Sequence, residues 1–385
     1  MKAIARIASC ALFLAAASQA QADVVVGAVL SLTGPAASLG IPEKNTVDLM
    51  PKQIGGETVR YVVLDDASDP SAAVRAARKL VDEHNVDVII GPSITPTSLA
   101  ILEVLGGSKT PGISLAGSSV IASPVEGNKR WSFKLAPEES MQGERVFQHL
   151  AKTGIKSVAF IGFNDSFGDS FIGAYKKVAA AHNVPVLGDE RYSKTDTSVT
   201  AQALKILAAN PGAVIIGAAG TPGVTPILEL RKLGYKGVIY INQGMANADV
   251  LRVGGAALDG VFLATPPVLV AEQLPDDNPI KKVAVDYLAT YEKAYGANSR
   301  SLFGATAWDA YLIARYGIET ALKAGGKPGN EAFRTAVRDA MENAKDVVGA
   351  EAVFNLTPTN HNGTDIRSEV IVKIAGGKWV YVPLD

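Results

Sequence analysis

Residues 24–35 read Val24-Val25-Val26-Gly27-Ala28-Val29-Leu30-Ser31-Leu32-Thr33-Gly34-Pro35. Seven apolar or small residues in a row, closed by a Ser/Thr/Gly/Pro turn, describe a strand covered on both faces. Covered strands of this kind belong to parallel sheets with helices packed on either side. The stretches that follow keep the same rhythm. Tyr61–Leu64 reads as a second strand and Ser71–Asn85 as a helix, with Val74, Ala77, Leu80 and Val81 on one face and Asp69-Pro70 at its start. Val86–Ile90 is a strand ending at Gly91-Pro92, a helix runs from about Thr97 to Leu105, and Gly112–Leu115 is a further strand.

The alternation then starts again. Strands are expected at Ser157–Gly162, Ala213–Ala218 and Val238–Ile241, with helices at Ser170–His182, Ala201–Ala209 and Thr225–Leu233. Two long helical stretches follow, Asn278–Tyr295 and Phe303–Ala324, and a hairpin pairs Glu369–Ile374 with Trp379–Val382 around Gly376-Gly377. The expected fold is α/β: two Rossmann-like lobes with mostly parallel sheets. The expected division is 23–139 plus 268–345 for lobe one and 140–267 plus 346–385 for lobe two.

Composition narrows the function. The chain has 385 residues, is 19% charged and carries a formal net charge of -1, so nothing favours a nucleic-acid partner. Lys2 and Arg6 precede a short apolar run that ends at Ala20-Gln21-Ala22, the form of a cleaved secretory signal peptide over residues 1–22. Cleavage there would remove Cys10, the one cysteine, and with it disulfides, thiol catalysis and thiolate metal ligands. No nucleotide-binding glycine motif, nucleophile elbow or zinc-protease motif occurs. His84, His149, His182 and His361 are scattered, so no metal or other cofactor is expected.

Ligands of open α/β sheets sit outside the carboxyl ends of the strands. The loops there are Ser31–Gly40, Gly91–Thr97, Ala116–Ser119, Phe163–Gly168, Ala218–Thr221 and Asn242–Gly244. Thr95 and Ser118 place hydroxyls on two of them, and the Thr95 loop runs straight into a helix, whose free N–H groups suit a carboxylate. The same residues serve equally well as caps and turn formers. Asp65 and Asp66 after the second strand leave a hydrolase on a Rossmann-like scaffold as a competing reading.

The ordered set Ser31–Pro35, Leu64-Asp65-Asp66-Ala67-Ser68-Asp69-Pro70 and Tyr291-Glu292-Lys293-Ala294-Tyr295-Gly296 resembles the periplasmic leucine/isoleucine/valine-binding proteins, type I solute receptors of ABC importers. The resemblance covers essentially the whole chain after residue 22. It implies three crossovers between the lobes, hinge closure on a small ligand, a monomer in the periplasm and an inner-membrane ABC permease as partner. Carried over loop by loop, it implies ligand contacts from Leu39, Thr95, Ala116, Gly117, Ser118, Phe167, Gly220, Thr221, Gln243 and Phe303. Two positions depart from the amino-acid binders. Gln243 stands where they place a glutamate for the ligand's ammonium, and Gly220 stands where they place a tyrosine. The expected ligand is therefore a carboxylate without an α-amino group, an aromatic or branched α-keto acid or an aromatic acid, with a branched-chain or other hydrophobic amino acid as the alternative.

Overall fold

The computed structural model describes residues 24–384. The expected signal peptide and Cys10 lie outside the described residues.

The first lobe opens with β1 (Val24–Leu30), α1 (Ala37–Leu49), β2 (Gln53–Ile54), β3 (Glu57–Asp65) and α2 (Pro70–Asp82). It continues with β4 (Val88–Ile90), α3 (Thr95–Ala100), α4 (Leu102–Ser108), β5 (Gly112–Ser114) and β6 (Ser132–Lys134). Its sheet has the order β2-β3-β1-β4-β5-β6, parallel except for the β2 edge. The reading of 24–30 as a strand covered on both faces holds residue by residue. Val24, Val26, Ala28 and Leu30 belong to one buried cluster and Val25 and Val29 to another, the period of two that a pleated strand imposes. On α2 the buried residues are Ala73, Ala76, Ala77 and Leu80, so the helix is turned slightly from the expected face and brings its alanines down on the sheet. The helix expected over Thr97–Leu105 divides at Ile101 into α3 and α4.

The second lobe comprises α5 (Glu139–Thr153), β7 (Val158–Phe163), α6 (Ser166–Ala181), β8 (Val186–Tyr192), α7 (Thr200–Ala209), β9 (Ala213–Gly217), α8 (Val224–Lys232), β10 (Val238–Asn242), α9 (Ala248–Gly254) and β11 (Phe262–Thr265). The chain then runs through α10 (Lys281–Tyr295), α11 (Leu302–Lys323), α12 (Glu331–Met341), the small pair β12 (Val347–Val348) and β13 (Val353–Phe354), and the hairpin β14 (Val370–Ala375) and β15 (Lys378–Val382). The second sheet has the order β15-β14-β11-β10-β9-β7-β8, with the hairpin antiparallel at its edge. Gly376 and Gly377 have φ of 56° and 71°, the left-handed pair that a two-residue hairpin loop demands.

Three connections pass between the lobes, after β6, between α10 and α11, and before β14. The last one is instructive. Phe354 and Leu356 pack in the same cluster as Val24 and Phe133, and His361 stacks on Phe133 at 4.0 Å. Residues 370–382 instead complete the second sheet. The division read from sequence kept 346–385 together, whereas the contacts split that segment between Thr364 and Val370. The buried face of α10, Tyr287, Leu288 and Tyr291, joins the larger second-lobe cluster.

The candidate ligand cleft

The carboxyl ends of the two sheets face one another across a cleft with an empty volume of about 710 Å³, which includes solvent at its mouth. From the first lobe, β4 leads into a loop where Gly91 has φ +103° and sits so close to Val29 that an added Cβ would lie 2.1 Å from the Val29 carbonyl oxygen. Only glycine fits that turn. It delivers Ser93, Ile94 and Thr95 to the cleft wall. Thr95 is 1% exposed and its hydroxyl has no protein partner. The loop after β5 adds Ala116 and Gly117 to the wall. Ser118 next to them is fully buried, again with an unpartnered hydroxyl, and does not itself line the cleft. Because α3 is only six residues long, its free N–H groups count for more than its macrodipole.

An apolar wall stands beside this polar one. Ala36, Leu39, Ile94 and Phe303 form a small cluster separate from both lobe cores, with Ala219 of the second lobe packed against it. Leu39 comes from α1, which begins inside the segment expected as the Ser31–Gly40 loop and carries Gly40 and Pro42, residues typical of loops. Gly40 lies so close to Ser31 that a Cβ would sit 2.1 Å from the Ser31 carbonyl oxygen, which is how α1 packs on the end of β1. Phe303 opens α11, capped by the Ser301 hydroxyl, which accepts from Phe303 N at 3.2 Å.

The second lobe closes over both walls. Phe167 sits in the first turn of α6, where Asp165 accepts from Phe167 N and Gly168 N, each at 3.1 Å. A Cβ on Gly117 would lie 3.3 Å from Phe167 Cε2 and 3.9 Å from Gln243 Nε2, so ring and amide both face the Gly117 backbone. Gln243 follows β10, is 4% exposed, and its amide oxygen has no protein partner. Gly220 and Thr221 lie at the edge of the cleft, in contact with α1. Gly220 has φ +65° and faces Ser38 and Leu39, and Thr221 N donates to Ser38 Oγ at 3.4 Å.

The cleft is nearly neutral. Among the described residues Asp165 is the one carboxylate along its wall and Lys194 the one cation, and they pair at 3.7 Å. Other acids stand behind the wall. Glu43 accepts from the Ser93 hydroxyl, and burial pushes its carboxyl well above the usual range despite that bond. Glu351 accepts from Thr306 Oγ1 at 2.7 Å and is likewise raised, first by burial and then by Asp309. Asp65 and Asp66 organise the turn after β1. Asp65 accepts from Leu32 N at 2.9 Å and Thr33 Oγ1 at 2.7 Å, and Asp66 from Ser31 Oγ at 2.7 Å. Neither lines the cleft. The histidines named in the sequence lie apart, His149 against Tyr240, His182 against Glu144 and His361 against Ser132.

Of the ten residues expected at the site, Leu39, Thr95, Ala116, Gly117, Phe167, Gln243 and Phe303 line one cleft. Gln142 and Ala136, from the first crossover, line it too. Ala136 follows β6, a three-residue strand too short to read from the sequence, and Gln142 follows no strand directly; α5, which carries Gln142, could have been found from the Val146, Phe147 and Leu150 spacing.

The sequence profile described as periplasmic binding protein matches residues 23–374. The chain belongs to the periplasmic binding protein family. The Leu/Ile/Val-binding protein BraC3 of Rhizobium johnstonii is 26% identical over 337 residues, covering 86% of this chain and 87% of that protein. The crystal structure of an extracellular ligand-binding receptor from Rhodopseudomonas palustris HaA2 superposes with a TM-score of 0.90 at 38% identity, over 94% of this chain and all of that one. A solute-binding protein of an R. palustris ABC transporter, solved with benzoate, shares the fold at TM-score 0.78 and 20% identity, over 94% of this chain and 95% of that one. Among the described residues no helix is long and apolar enough to cross a membrane.

Proposed function

We propose that this chain is an exported, non-enzymatic receptor that captures a small hydrophobic carboxylate lacking an α-ammonium group and hands it to an ABC permease. In this reading residues 1–22 are a signal peptide, the receptor works as a monomer in the periplasm, and the ligand is an aromatic or branched α-keto acid or an aromatic acid. The observation that carries it is the amide of Gln243 facing the first lobe, in a cleft where Asp165, the one carboxylate among the described lining residues, is taken up by Lys194 and by the start of α6. A buried ammonium without a carboxylate partner costs several kcal/mol. The same wall suits an anion: Thr95 brings an unpartnered hydroxyl to the cleft, and the buried Ser118 hydroxyl behind the wall is likewise unpartnered. Leu39, Ile94, Phe303 and Phe167 supply apolar surface for the remainder of the ligand. The benzoate-bound neighbour shows that this fold can accommodate an acid with no ammonium.

The names of relatives that bind leucine, isoleucine and valine favour a second reading, in which the ligand is a branched-chain amino acid. Calorimetric titration separates the two. Phenylpyruvate, 4-methyl-2-oxopentanoate or benzoate binding more tightly than leucine is the expected result; tight leucine binding with no response to any of the acids refutes the proposal. Ligand released unchanged from denatured protein supports a receptor over a hydrolase.

A further inference from the structure

We infer that Gln142 is a second ligand-reading amide, and that the ligand carries an uncharged hydroxyl or carbonyl oxygen in addition to its carboxylate. The inference rests on the reading of the cleft as a carboxylate site and narrows the ligand class within it.

Gln142 belongs to α5, the first element after the chain crosses from one lobe to the other. It is 1% exposed and lines the cleft, yet its amide oxygen is buried with no hydrogen-bond partner among the described residues. An unpaired buried amide costs about 1–3 kcal/mol. The position of this amide is imposed by its surroundings. One turn earlier, on the same helix face, Glu139 accepts from Ser119 N of the first lobe at 3.0 Å and from Ser170 Oγ of the second at 2.5 Å. Directly after Gln142, Gly143 packs against α6, where an added Cβ would lie 3.2 Å from Val178. The α5 backbone is therefore pinned to both lobes, and the amide is presented to the cleft from a fixed support.

Gln142 and Gln243 give the cleft two neutral amides with unpartnered oxygens, each both donor and acceptor, whereas the oxygen of neighbouring Asn242 is taken up by Ala218 N at 3.3 Å. A ligand hydroxyl satisfies both ends of an amide and a carbonyl satisfies the donor. An ammonium satisfies only the acceptor and brings a charge that these residues do not balance. A hydrocarbon surface leaves the amides unpaired. A site with buried hydrogen-bonding groups discriminates against the analogue that lacks the matching oxygen.

The test uses the full mature chain and three matched pairs of acids that differ by one oxygen: phenylpyruvate and 3-phenylpropanoate, 4-methyl-2-oxopentanoate and 4-methylpentanoate, 4-hydroxybenzoate and benzoate. In calorimetric titrations the wild type is expected to favour the oxygenated member of at least one pair by about tenfold or more. Gln142→Met, which keeps the length and removes the amide, is expected to bring that ratio to within about threefold by weakening the oxygenated member alone. Gln142→Asn, which keeps the amide on a shorter arm, covers the case in which Q142M fails to fold, and it should lower the same ratio. Acids bound without any preference within the pairs, or a preference that survives both variants, or equal losses for both members, overturn the inference while leaving the carboxylate reading intact. Leucine bound and all six acids refused overturns both.

Discussion

Replacing Gly220 with alanine separates the energy of lobe closure from the energy of folding. Gly220 has φ +65° and ψ -162°, a region essentially reserved for glycine, so any side chain there carries a backbone penalty of about 1–3 kcal/mol. That penalty applies whether the lobes are apart or together. It lowers the melting temperature and cancels in the binding constant. The new methyl group, however, would lie 2.7 Å from Ser38 Oγ and 2.8 Å from Leu39 Cδ1, both across the cleft on α1. Leu39 cannot swing aside freely, since it is packed with Ala36, Ile94 and Phe303. Overpacking of this kind costs about 1–3 kcal/mol, and only in the closed form, which amounts to a loss of affinity of about 5- to 150-fold. The assay is titration with phenylpyruvate, beside a urea melt of the unliganded protein. Gly173→Ala on α6 serves as the control, because a Cβ there meets nothing within 4 Å. It should leave affinity unchanged and stabilise the helix by up to about 1 kcal/mol. Undiminished affinity in G220A would refute the idea that Gly220 meets α1 in the ligand-bound form.

Thr95→Val removes an unpartnered hydroxyl while keeping shape, so it should weaken carboxylate binding by about 1–1.5 kcal/mol with little change in the melt of the unliganded protein. Equal affinity for a carboxylate probe in wild type and variant places the anion elsewhere. Gln243→Glu puts a negative charge into the nearly neutral cleft and should weaken a keto acid by more than about 1.4 kcal/mol, roughly tenfold. An unchanged titration would remove Gln243 from the site. Asp309 is fully buried, and burial raises its carboxyl to about 7 against the hydrogen bonds from Ala350 N and Glu351 N. Between the ordinary value of 3.8 and about 7 the folded chain thus holds, in the Asp309–Glu351 pair, a proton that the unfolded chain has already lost, and the pair favours folding as pH falls through that window. Burial holds His149 and His361 below their ordinary range, which opposes the trend below pH 6.5, so the diagnostic is the difference between variants. Asp309→Asn should gain stability relative to wild type as pH rises from 5 to 8, by at most about 1.4 kcal/mol per pH unit. Parallel urea midpoints across that range would show that Asp309 does not carry the proton.

Much of the architecture was legible because covered parallel strands leave a continuous apolar signature. Val24–Leu30, Ala213–Gly217 and the hairpin around Gly376-Gly377 were found within a residue or two. Helix α1 was missed because Gly40 and Pro42 look like loop residues, although in the fold they permit a close approach to Ser31. Strand β8 was missed because Gly188, Asp189, Glu190 and Arg191 make it half-exposed at a sheet edge, where hydrophobic patterning weakens. The loops that carry Thr95 and Gln243 could be named from sequence because they follow strands, where an α/β sheet keeps its ligands, while Gln243 itself was singled out by the resemblance to the amino-acid binders.

The order of strands and helices, and hence the class of fold, is a local property: burial on both faces writes itself into consecutive residues. The meeting of Gly117 with Phe167, of Gly220 with Leu39 and of Gln142 with the cleft is not, because each joins segments brought together by chain crossovers. No periodicity records which face of one lobe touches the other. The nearly neutral charge of the cleft is of the same kind: it depends on Asp165 being paired with Lys194 and on Glu43 and Glu351 standing behind the wall, facts of three-dimensional distance that the linear chain does not carry.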